Sequence, residues 1–493
     1  MEQEYLSDDV IEQIKDFYHS IDADYGLTEE QKLLIDKLII NEELKERYKK
    51  YGLCKECKQP NIHYRWCQSS AKHFQQKFQN WSSGNSEVDK IIQESQLNAK
   101  DYWEKLEWIE YDNFEHIEYI TKGGFGSIYK AKWRHRIVAL KSLNNSKNIT
   151  LDFLNEINLH LKMNNSRYTI YIYGITKDPK TSNFMMIMEY AENGNLRQRL
   201  NSDFNSLNWN DKLDILQNIA KGLDDIHKKG LTHRDFHSGN ILLSKDFVFR
   251  IYYLITDLGL SKPANEKSEN FGIIIYEVIN GLPPYHDMAH EEFLAIKICN
   301  GLRPSFNIKV PQLVVDIFKQ CVDADLSKRP TAKYLLEIFN QWWNEIDDED
   351  SEIYKQSVEA DEINKKQASI TKLDNSKLTY TTHHQAIYTS RLLNFNNLPE
   401  PKNAESEEEY SKNVDECINH QKELLPDNFQ QLSESDCKSS LSFQEVRKLL
   451  MDRISTEHPL SDPPQVGHDN VLGSLPDNSP HLPQLWDIEN RLQ

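Results

Sequence analysis

The feature that most restricts this chain is a short polar segment followed directly by an apolar run. Residues 233–240 read HRDFHSGN, and the apolar residues 241–243 come next. The segment carries an acid that can accept a proton, Asp235, and an amide that can ligate a divalent cation, Asn240. The alternative is a chance match of four residue types at fixed spacing, which is expected in fewer than about one in a hundred chains of this length.

A glycine-containing turn and a lysine at the end of an apolar run lie upstream. Residues 120–128 read ITKGGFGSI. Glycines let a backbone approach a phosphate closely and donate its N–H groups, although such glycines often only make turns. Residues 138–141 read VALK, so Lys141 ends a short apolar strand. Such a lysine alone is usually solvated, but its position after the glycines favours a phosphate-binding function.

The segment after Lys141 is predicted to be a helix, because apolar residues recur at helical spacing over 153–161. Glu156 lies on this helix and is either the ion partner of Lys141 or an ordinary exposed glutamate. Farther along, residues 185–191 read MMIMEYA. This pattern predicts a buried strand that runs into a connecting segment.

Further motifs follow the polar segment. Residues 255–260 read ITDLGL and place a second acid, Asp257, while residues 271–277 read FGIIIYE and 326–331 read LSKRPT. In this order the motifs resemble the protein kinase domain, closest to the tyrosine-kinase-like group, over residues 114–343. The resemblance implies an α+β fold of two lobes, a small β-rich one and a mostly helical one, with ATP bound between them.

The resemblance also implies roles for individual residues. The implied catalytic residues are Asp235, which orients the acceptor hydroxyl, Lys141, which holds the phosphates, and Glu156, which orders Lys141. The implied nucleotide-binding residues are Thr121, Gly123, Gly126, Ile128, Ala139, Lys141, Met188, Glu189 and Ala191. The implied magnesium ligands are Asn240 and Asp257.

The function implied by the resemblance is transfer of the γ-phosphate of ATP to a protein hydroxyl, with Mg²⁺ as cofactor, in intracellular signalling. His237 stands where serine/threonine kinases often carry a lysine, and the arginine pattern of tyrosine kinases is also absent. We expect a serine/threonine kinase.

The interval after Asp257 departs from the kinase pattern. Phe271 follows Asp257 by only fourteen positions, without an A-P-E motif or the acid that usually opens the next helix. In kinases the A-P-E glutamate pairs with the arginine that aligns with Arg329, so Arg329 needs another contact here. Three explanations stay open: a gap in the transcript or assembly, an active kinase with a minimal segment, and a nucleotide-binding pseudokinase scaffold that lacks a substrate platform.

Composition and charge limit the cellular location expected for the protein and the classes of molecule that it can bind. The chain has 493 residues and a net charge of −19, which disfavours binding to nucleic-acid phosphates. No apolar run approaches the roughly 20 residues that span a bilayer, and residues 1–5, MEQEY, do not resemble a signal peptide. We expect a cytoplasmic protein whose partners are ATP and a protein substrate or signalling partner, without nucleic acid or a membrane span.

Residues 1–52 are predicted to be a charged helical region. Within it, Thr28 and Gln31 form a capping box that begins a helix, an apolar stripe continues from Leu34 through Tyr48, and Gly52 is placed to end that helix. Packing against the rest of the chain and docking of a helical partner are both consistent with this pattern.

Residues 53–110 are predicted to contain a degenerate zinc-ribbon-like cysteine module and a helical linker. Cys54, Cys57 and Cys67 have the spacing of zinc ligands, but Ser70 replaces the expected fourth cysteine. The candidates for a fourth ligand are His63 and His73. A Zn²⁺ site, which would permit a metal-dependent adaptor function, and a metal-free remnant both fit. A cysteine module before a kinase domain resembles a subgroup of fungal tyrosine-kinase-like kinases.

Residues 344–493 are predicted to be an acidic, largely disordered tail, because few apolar residues recur at a regular period. Residues 442–456 are the exception, since a capping box and an apolar face predict a short amphipathic helix there.

Overall fold

The computed structural model describes residues 5–17, 27–63, 65–122, 126–143, 149–245, 251–263, 271–371, 381–388, 395 and 398–404. Gly123 and the helix predicted at 442–456 lie outside these residues. The described residues fall into two units, one drawn from residues 1–192 and 256–260 and the other from 193–255 and 261–493.

The first unit combines short helices with a sheet. Its helices are α1 (Asp8–Ile14), α2 (Glu29–Leu38), α3 (Glu42–Tyr51), α4 (Ser70–Lys77), α5 (Ser86–Asn98) and α6 (Leu151–Met163). Its strands are β1 (Glu107–Trp108), β2 (Phe114–Lys122), β3 (Gly126–Trp133), β4 (Arg136–Leu143), β5 (Ile172–Lys177) and β6 (Phe184–Glu189).

The second unit is mostly helical. Its helices are α7 (Leu196–Asp203), α8 (Trp209–Lys228), α9 (Phe271–Asn280), α10 (Glu292–Cys299), α11 (Gln312–Cys321), α12 (Ala332–Glu345) and α13 (Glu352–Thr371). Its strands are β7 (Leu231–Thr232), β8 (Ile241–Lys245), β9 (Ile251–Ile255) and β10 (Lys262–Pro263).

The helix predicted near the N-terminus is two helices. Thr28 and Gln31 form the capping box of α2, which confirms that prediction. The side chain of Asn41 then begins α3 by accepting a hydrogen bond from the Leu44 N–H at 3.0 Å. The prediction of one continuous apolar stripe is therefore wrong, because asparagine favours a new helix start at this point. Helix α3 ends at Gly52, whose φ is 64°.

The sheet of the first unit positions Lys141. Its strand order among the described residues is β1-β5-β6-β4-β3-β2. Lys141 lies on β4, opposite Ile128 of β3 and Met186 of β6. Strand β6 is buried along most of its length, as its unbroken apolar sequence predicts.

Strand β1 precedes the kinase-like part of the sequence and pairs in parallel with β5. Gly174 of β5 permits the close approach, since a Cβ there would lie 2.0 Å from the carbonyl oxygen of Glu107. The chain before residue 114 therefore contributes a strand to the sheet that carries Lys141.

Helices α8 and α9 form the centre of the second unit. Helix α9 is buried at every position, and α12 packs along α8. Among the helices that the structure describes, none combines the length and the apolar composition needed to cross a membrane.

Helix α13 lies in the region predicted to be disordered. Its residues Ile353, Ser357 and Ala360 are buried, and the indole N–H of Trp209 on α8 donates to Asp361 at 3.0 Å. The prediction of disorder is wrong for residues 352–371. Two of the three buried side chains are small or polar, so hydropathy carries no clear helical period there.

Lys212 is buried on α8, where its ammonium lies 4.6 Å and 5.1 Å from the ring centroids of Phe204 and Trp209. Burial lowers its pKa to about 8, with a smaller opposing effect from Asp361. Between pH 8 and the ordinary value of 10.5, the unfolded chain therefore holds more protons than the folded chain. The contribution of this group to stability rises with pH across that window.

We predict that Lys212→Met raises the free energy of unfolding at pH 7 by about 1–3 kcal/mol. The gain over the wild type should shrink as the pH rises from 8 and approach zero above 10.5, because the lysine then lacks its proton in the unfolded chain as well as in the folded one. Denaturant unfolding at several pH values measures this, with Lys333→Met, at an exposed position on α12, as the control. A gain that does not change with pH would contradict the prediction.

Candidate active site

Lys141, Glu156 and Asp257 form an ion cluster in the first unit. The Lys141 Nζ lies 2.6 Å from Glu156 Oε1 and 3.0 Å from Asp257 Oδ1. Lys141 and Glu156 are 7% and 3% exposed, so both charges are desolvated. Burial alone would lower the pKa of Lys141, but the two carboxylates outweigh it and raise that pKa. One cation faces two carboxylates, which suits the cluster to a further cation.

Gly259 fits closely against this cluster. A Cβ at Gly259 would lie 3.1 Å from Glu156 Oε2 and 3.6 Å from Asp257 Oδ1. Asp257 has a φ of 63°, a region that residues other than glycine rarely occupy. The strained backbone and the missing Cβ together bring the Asp257 carboxylate to Lys141.

The other predicted nucleotide-binding residues of the first unit that are described lie on its strands or at their ends. Gly126 begins β3. The cross-strand pairs are Thr121 with Ile128 and Ala139 with Met188. The structure therefore groups these residues on adjacent strands of the sheet that carries Lys141.

The connecting segment begins at the end of β6. The N–H of Glu189 donates to the carbonyl of Tyr171 at 2.8 Å, so this amide is not available to a nucleotide. Burial raises the pKa of the Glu189 carboxyl. Ala191 follows two residues later, outside the strand.

Asp235 and Asn240 contact each other in the second unit, on the segment before β8. The Asn240 Nδ2 donates to the Asp235 Oδ2 at 2.9 Å and to its carbonyl oxygen at 3.0 Å. The amide oxygen of Asn240 is then the atom suited to a cation. Arg234, next to Asp235, has a φ of 68°. The structure thus brings the predicted base and the predicted metal ligand together on one strained loop.

His237 also faces Asp235. Its Nδ1 accepts a hydrogen bond from the Gly239 N–H at 3.0 Å, so a neutral ring carries its proton on Nε2. That Nε2 lies 3.4 Å from the Asp235 Oδ1. Sequence reasoning noted His237 only as a missing lysine, and the structure adds its contact with the acid.

A buried network on α9 holds the same loop. The Ser238 hydroxyl donates a hydrogen bond to the Glu277 carboxylate. The Arg197 guanidinium, from α7, lies 3.3 Å from Glu277 and 3.1 Å from the Ser238 hydroxyl. Sequence reasoning missed this network, and its one visible signal was the single acid in the apolar run of α9.

Arg329 is buried, and its Nε donates to the carbonyl of Asp323 at 2.9 Å. Because the A-P-E glutamate is absent, the sequence predicted that the charge of Arg329 needs another contact. In the structure a backbone carbonyl is one of its contacts.

Cys54, Cys57, Cys67 and His73 converge in the cysteine module. The Cys57 and Cys67 sulfurs are 3.5 Å apart, and the Cys67 sulfur is 4.0 Å from His73 Nδ1. One ligand atom each from Cys54, Cys67 and His73 lie within 4.8 Å of one another. Tetrahedral zinc with bonds of about 2.3 Å separates its sulfur ligands by about 3.8 Å. Cys54, Cys67 and His73 therefore offer three donors of the kind and spacing that zinc takes, and the Cys57 sulfur lies against one of them.

The thiols of this cluster are also hydrogen-bonded from outside it. The Glu56 N–H donates to the Cys54 sulfur at 3.4 Å, and the Ser70 hydroxyl donates to the Cys67 sulfur at 3.5 Å. Such bonds orient metal ligands. Ser70, at the position expected for a fourth cysteine, thus bonds to a candidate ligand, and His73 follows it by one turn of α4.

A family model described as "Protein tyrosine and serine/threonine kinase" matches residues 114–270 and 270–339. Residues 114–339 belong to the protein kinase family. The resemblance and the predicted α+β, two-lobed fold class are therefore confirmed. The two matches meet at residue 270, within the short interval between Asp257 and Phe271.

Curated relatives agree with this assignment. "Probable serine/threonine-protein kinase roco5" from Dictyostelium discoideum is 30% identical over 45% of this chain and 9% of its own length. "Tyrosine-protein kinase SPK-1" from Girardia tigrina is 27% identical over 46% and 53%. "Serine/threonine-protein kinase VIK" from Arabidopsis thaliana is 28% identical over 46% and 59%. The chain therefore spans less than two thirds of each of these relatives.

We predict that Glu277→Ala lowers the free energy of unfolding by about 3–5 kcal/mol, because it leaves the largely buried Arg197 cation without its carboxylate. Denaturant unfolding of the full chain measures the loss. The control is Glu337→Ala, at an exposed position on α12, which should change stability by less than about 0.5 kcal/mol. Equal small losses in both variants would show that the Glu277 network is not a stabilising one.

Proposed function

We propose that this chain is an ATP-dependent protein kinase that transfers the γ-phosphate of ATP to a protein hydroxyl. The observation that carries the proposal is the buried contact of Lys141 with both Glu156 and Asp257, at 2.6 Å and 3.0 Å. A lysine held between two carboxylates keeps its charge although it is desolvated, as a phosphate-binding lysine must.

Each predicted site residue has a role in this proposal. Lys141, ordered by Glu156, binds the phosphates, and Asp235 orients the acceptor hydroxyl and takes its proton. The strand positions around Lys141 bind the nucleotide, as do Glu189 and Ala191 in the connecting segment. Asp257 and Asn240 offer the oxygen donors that magnesium prefers. Bound magnesium would neutralise charge on the phosphates.

We infer a preference for serine or threonine. Two of the relatives named above carry serine/threonine kinase in their names, and one carries tyrosine kinase. Next to Asp235, His237 replaces the lysine of many serine/threonine kinases, and its Nε2 lies 3.4 Å from the acid, where it can orient that carboxylate.

We also propose the setting of this activity. The kinase domain occupies residues 114–343, after a charged helical region at 1–52 and the cysteine module and linker at 53–110, and before a tail at 344–493. In this proposal the protein is a cytoplasmic signalling kinase, and its net charge of −19 disfavours binding to nucleic acid.

The second candidate function is a nucleotide-binding pseudokinase scaffold. It is favoured by the fourteen-position interval between Asp257 and Phe271, which leaves little chain for a substrate platform. A scaffold needs the Lys141 cluster for nucleotide binding but does not need Asp235 as a base.

Phosphate transfer from labelled ATP with magnesium to a generic protein substrate distinguishes the two functions. For an enzyme, we predict that Asp235→Asn lowers transfer by at least about 100-fold, because the base is lost. Lys141→Ala should abolish both transfer and the rise in melting temperature caused by ATP. Asp225→Asn, which changes a partly exposed acid on α8, is the control and should keep full transfer.

Stabilisation by ATP without transfer in the wild type would reject the enzyme and support the scaffold. Neither transfer nor stabilisation by ATP would reject both functions.

We further propose that Cys54, Cys57, Cys67 and His73 bind one structural zinc ion. The support is the grouping of ligand atoms from Cys54, Cys67 and His73 within 4.8 Å of one another, with the Cys57 sulfur 3.5 Å from that of Cys67. A structural zinc ties the segments that carry its ligands and stabilises the module that precedes the kinase domain.

We predict one zinc ion per purified full chain, measured by elemental analysis. Cys54→Ser should remove it, and His73→Ala should release it at a chelator concentration at least about tenfold lower than the wild type requires. His63→Ala is the matched control, since His63 packs on Tyr51 and is not among the converging residues. A metal-free wild type with an unchanged melting temperature in excess zinc would refute the site.

A further inference from the structure

A segment of the tail, residues 381–388, contacts the second unit beside the loop that carries Asp235. This TTHHQAIY segment follows α13 by ten positions and lies in the region predicted to be disordered. Its contacts are with α7 and with the residues between α9 and α10.

Tyr388 makes the contact with α7. The Arg197 Nη1 donates to the carbonyl of Tyr388 at 3.2 Å, and the guanidinium lies 4.8 Å from the centroid of its ring. The ring also meets that of His290 edge-on at 4.8 Å, and its hydroxyl donates to the carbonyl of Pro284 at 3.1 Å. Tyr388 is therefore held on three sides.

The rest of the segment is bound mainly through its backbone. The His290 N–H donates to the carbonyl of Gln385 at 3.1 Å, and the His383 N–H donates to the carbonyl of His286 at 2.8 Å. The His290 ring also contacts the backbone: its Nε2 lies 3.2 Å from the carbonyl oxygen of Tyr285, and its Nδ1 lies 3.0 Å from the carbonyl oxygen and 3.2 Å from the amide nitrogen of Ile387. Backbone bonds of this kind do not depend on sequence, so the surface suits a peptide with an aromatic residue at the place of Tyr388.

The same surface is next to the catalytic loop. Arg197 reaches Ser238 at 3.1 Å, and Ser238 is three positions after Asp235. An acceptor hydroxyl must come within hydrogen-bond distance of Asp235, so the residues that flank it must lie on the surface around this loop. One side chain, Arg197, joins Tyr388 to that loop.

We propose that residues 381–388 occupy, within the same chain, the surface on which a protein substrate is presented to Asp235. The proposal rests on the proposed kinase function, because it gives the surface that the active site would use. The segment competes with protein substrates and leaves nucleotide binding unchanged. A later part of the tail, residues 398–404, also contacts the second unit, since the Lys402 N–H donates to the carbonyl of Cys299 at the end of α10 at 2.8 Å.

The test compares the full chain with its Tyr388→Ala variant. Gln385→Ala is the matched control, since that side chain is exposed and only its backbone is bonded. Three quantities are measured: hydrogen exchange of the 381–388 amides, binding of a labelled peptide with the sequence of residues 381–388, and phosphate transfer to a generic protein substrate at saturating ATP.

Tyr388→Ala should speed exchange across 381–388 at least tenfold and bind the peptide at least tenfold more tightly than the wild type does. Its kcat/KM for the protein substrate should rise at least threefold, with the KM for ATP unchanged. Gln385→Ala should match the wild type in all three measurements. Tyr388→Phe, which keeps the ring between Arg197 and His290, should lie closer to the wild type than to Tyr388→Ala.

Wild-type exchange as fast as that of the free peptide would overturn the proposal. So would transfer that falls together with melting temperature in Tyr388→Ala, because the segment would then only support the fold. If exchange and peptide binding change as expected while no variant transfers phosphate, the occupied surface stands and the proposed kinase activity fails.

Discussion

The loop that carries Asp235 and Asn240 depends on the buried carboxylate of Glu277. A carboxylate that is 1% exposed is costly unless charged or polar donors compensate it, and here Arg197 and Ser238 do so. The three residues come from α7, α9 and the loop between Asp235 and Asn240. Compensation of one charge thereby joins two helices to the loop that carries the proposed base.

In this chain the network holds the loop that carries Asp235, a task that a different acid performs in the resembled family. In the resembled family an acid at the start of the helix aligned with α9 holds the catalytic loop, and that acid is missing here. Glu277, in the second turn of α9, contacts the same loop through Ser238. The catalytic loop can therefore keep its geometry although the interval before Phe271 is short. Within the described part of that interval, Gly259 lies against the Lys141 cluster.

The sequence predicted the parts of the site that are set by local patterns. Lys141 on its strand, Glu156 on its helix and the segment with Asp235 and Asn240 were all found, because spacing within a few residues identifies them. The sequence did not predict the contacts between segments that are distant along the chain. Arg197, Glu277 and Tyr388 are separated by 80 or more positions, and no periodicity connects them.

The same distinction explains the fold. The capping box at Thr28 was predicted from four consecutive residues, whereas the division of the next stretch at Asn41 was missed because the apolar period continues across it. Helix α13 was missed because its stability comes from packing against α8 and not from its own pattern. His73 was one of two candidate ligands, and only the fold of the module brings it, and not His63, to the cysteines.

Because of strand β1, the structural unit that contains the sheet begins earlier in the chain than the family match does. The family match begins at residue 114, yet residues 107–108 complete the sheet by pairing with β5, with Gly174 as the point of contact. If recombination joined a different leader at residue 114, the edge of β5 would lose its hydrogen-bond partner and become a site for pairing with other chains. Strand β1 and the sheet that follows it are therefore best regarded as one heritable unit, because the sheet cannot be separated from residues 107–108 without exposing that edge.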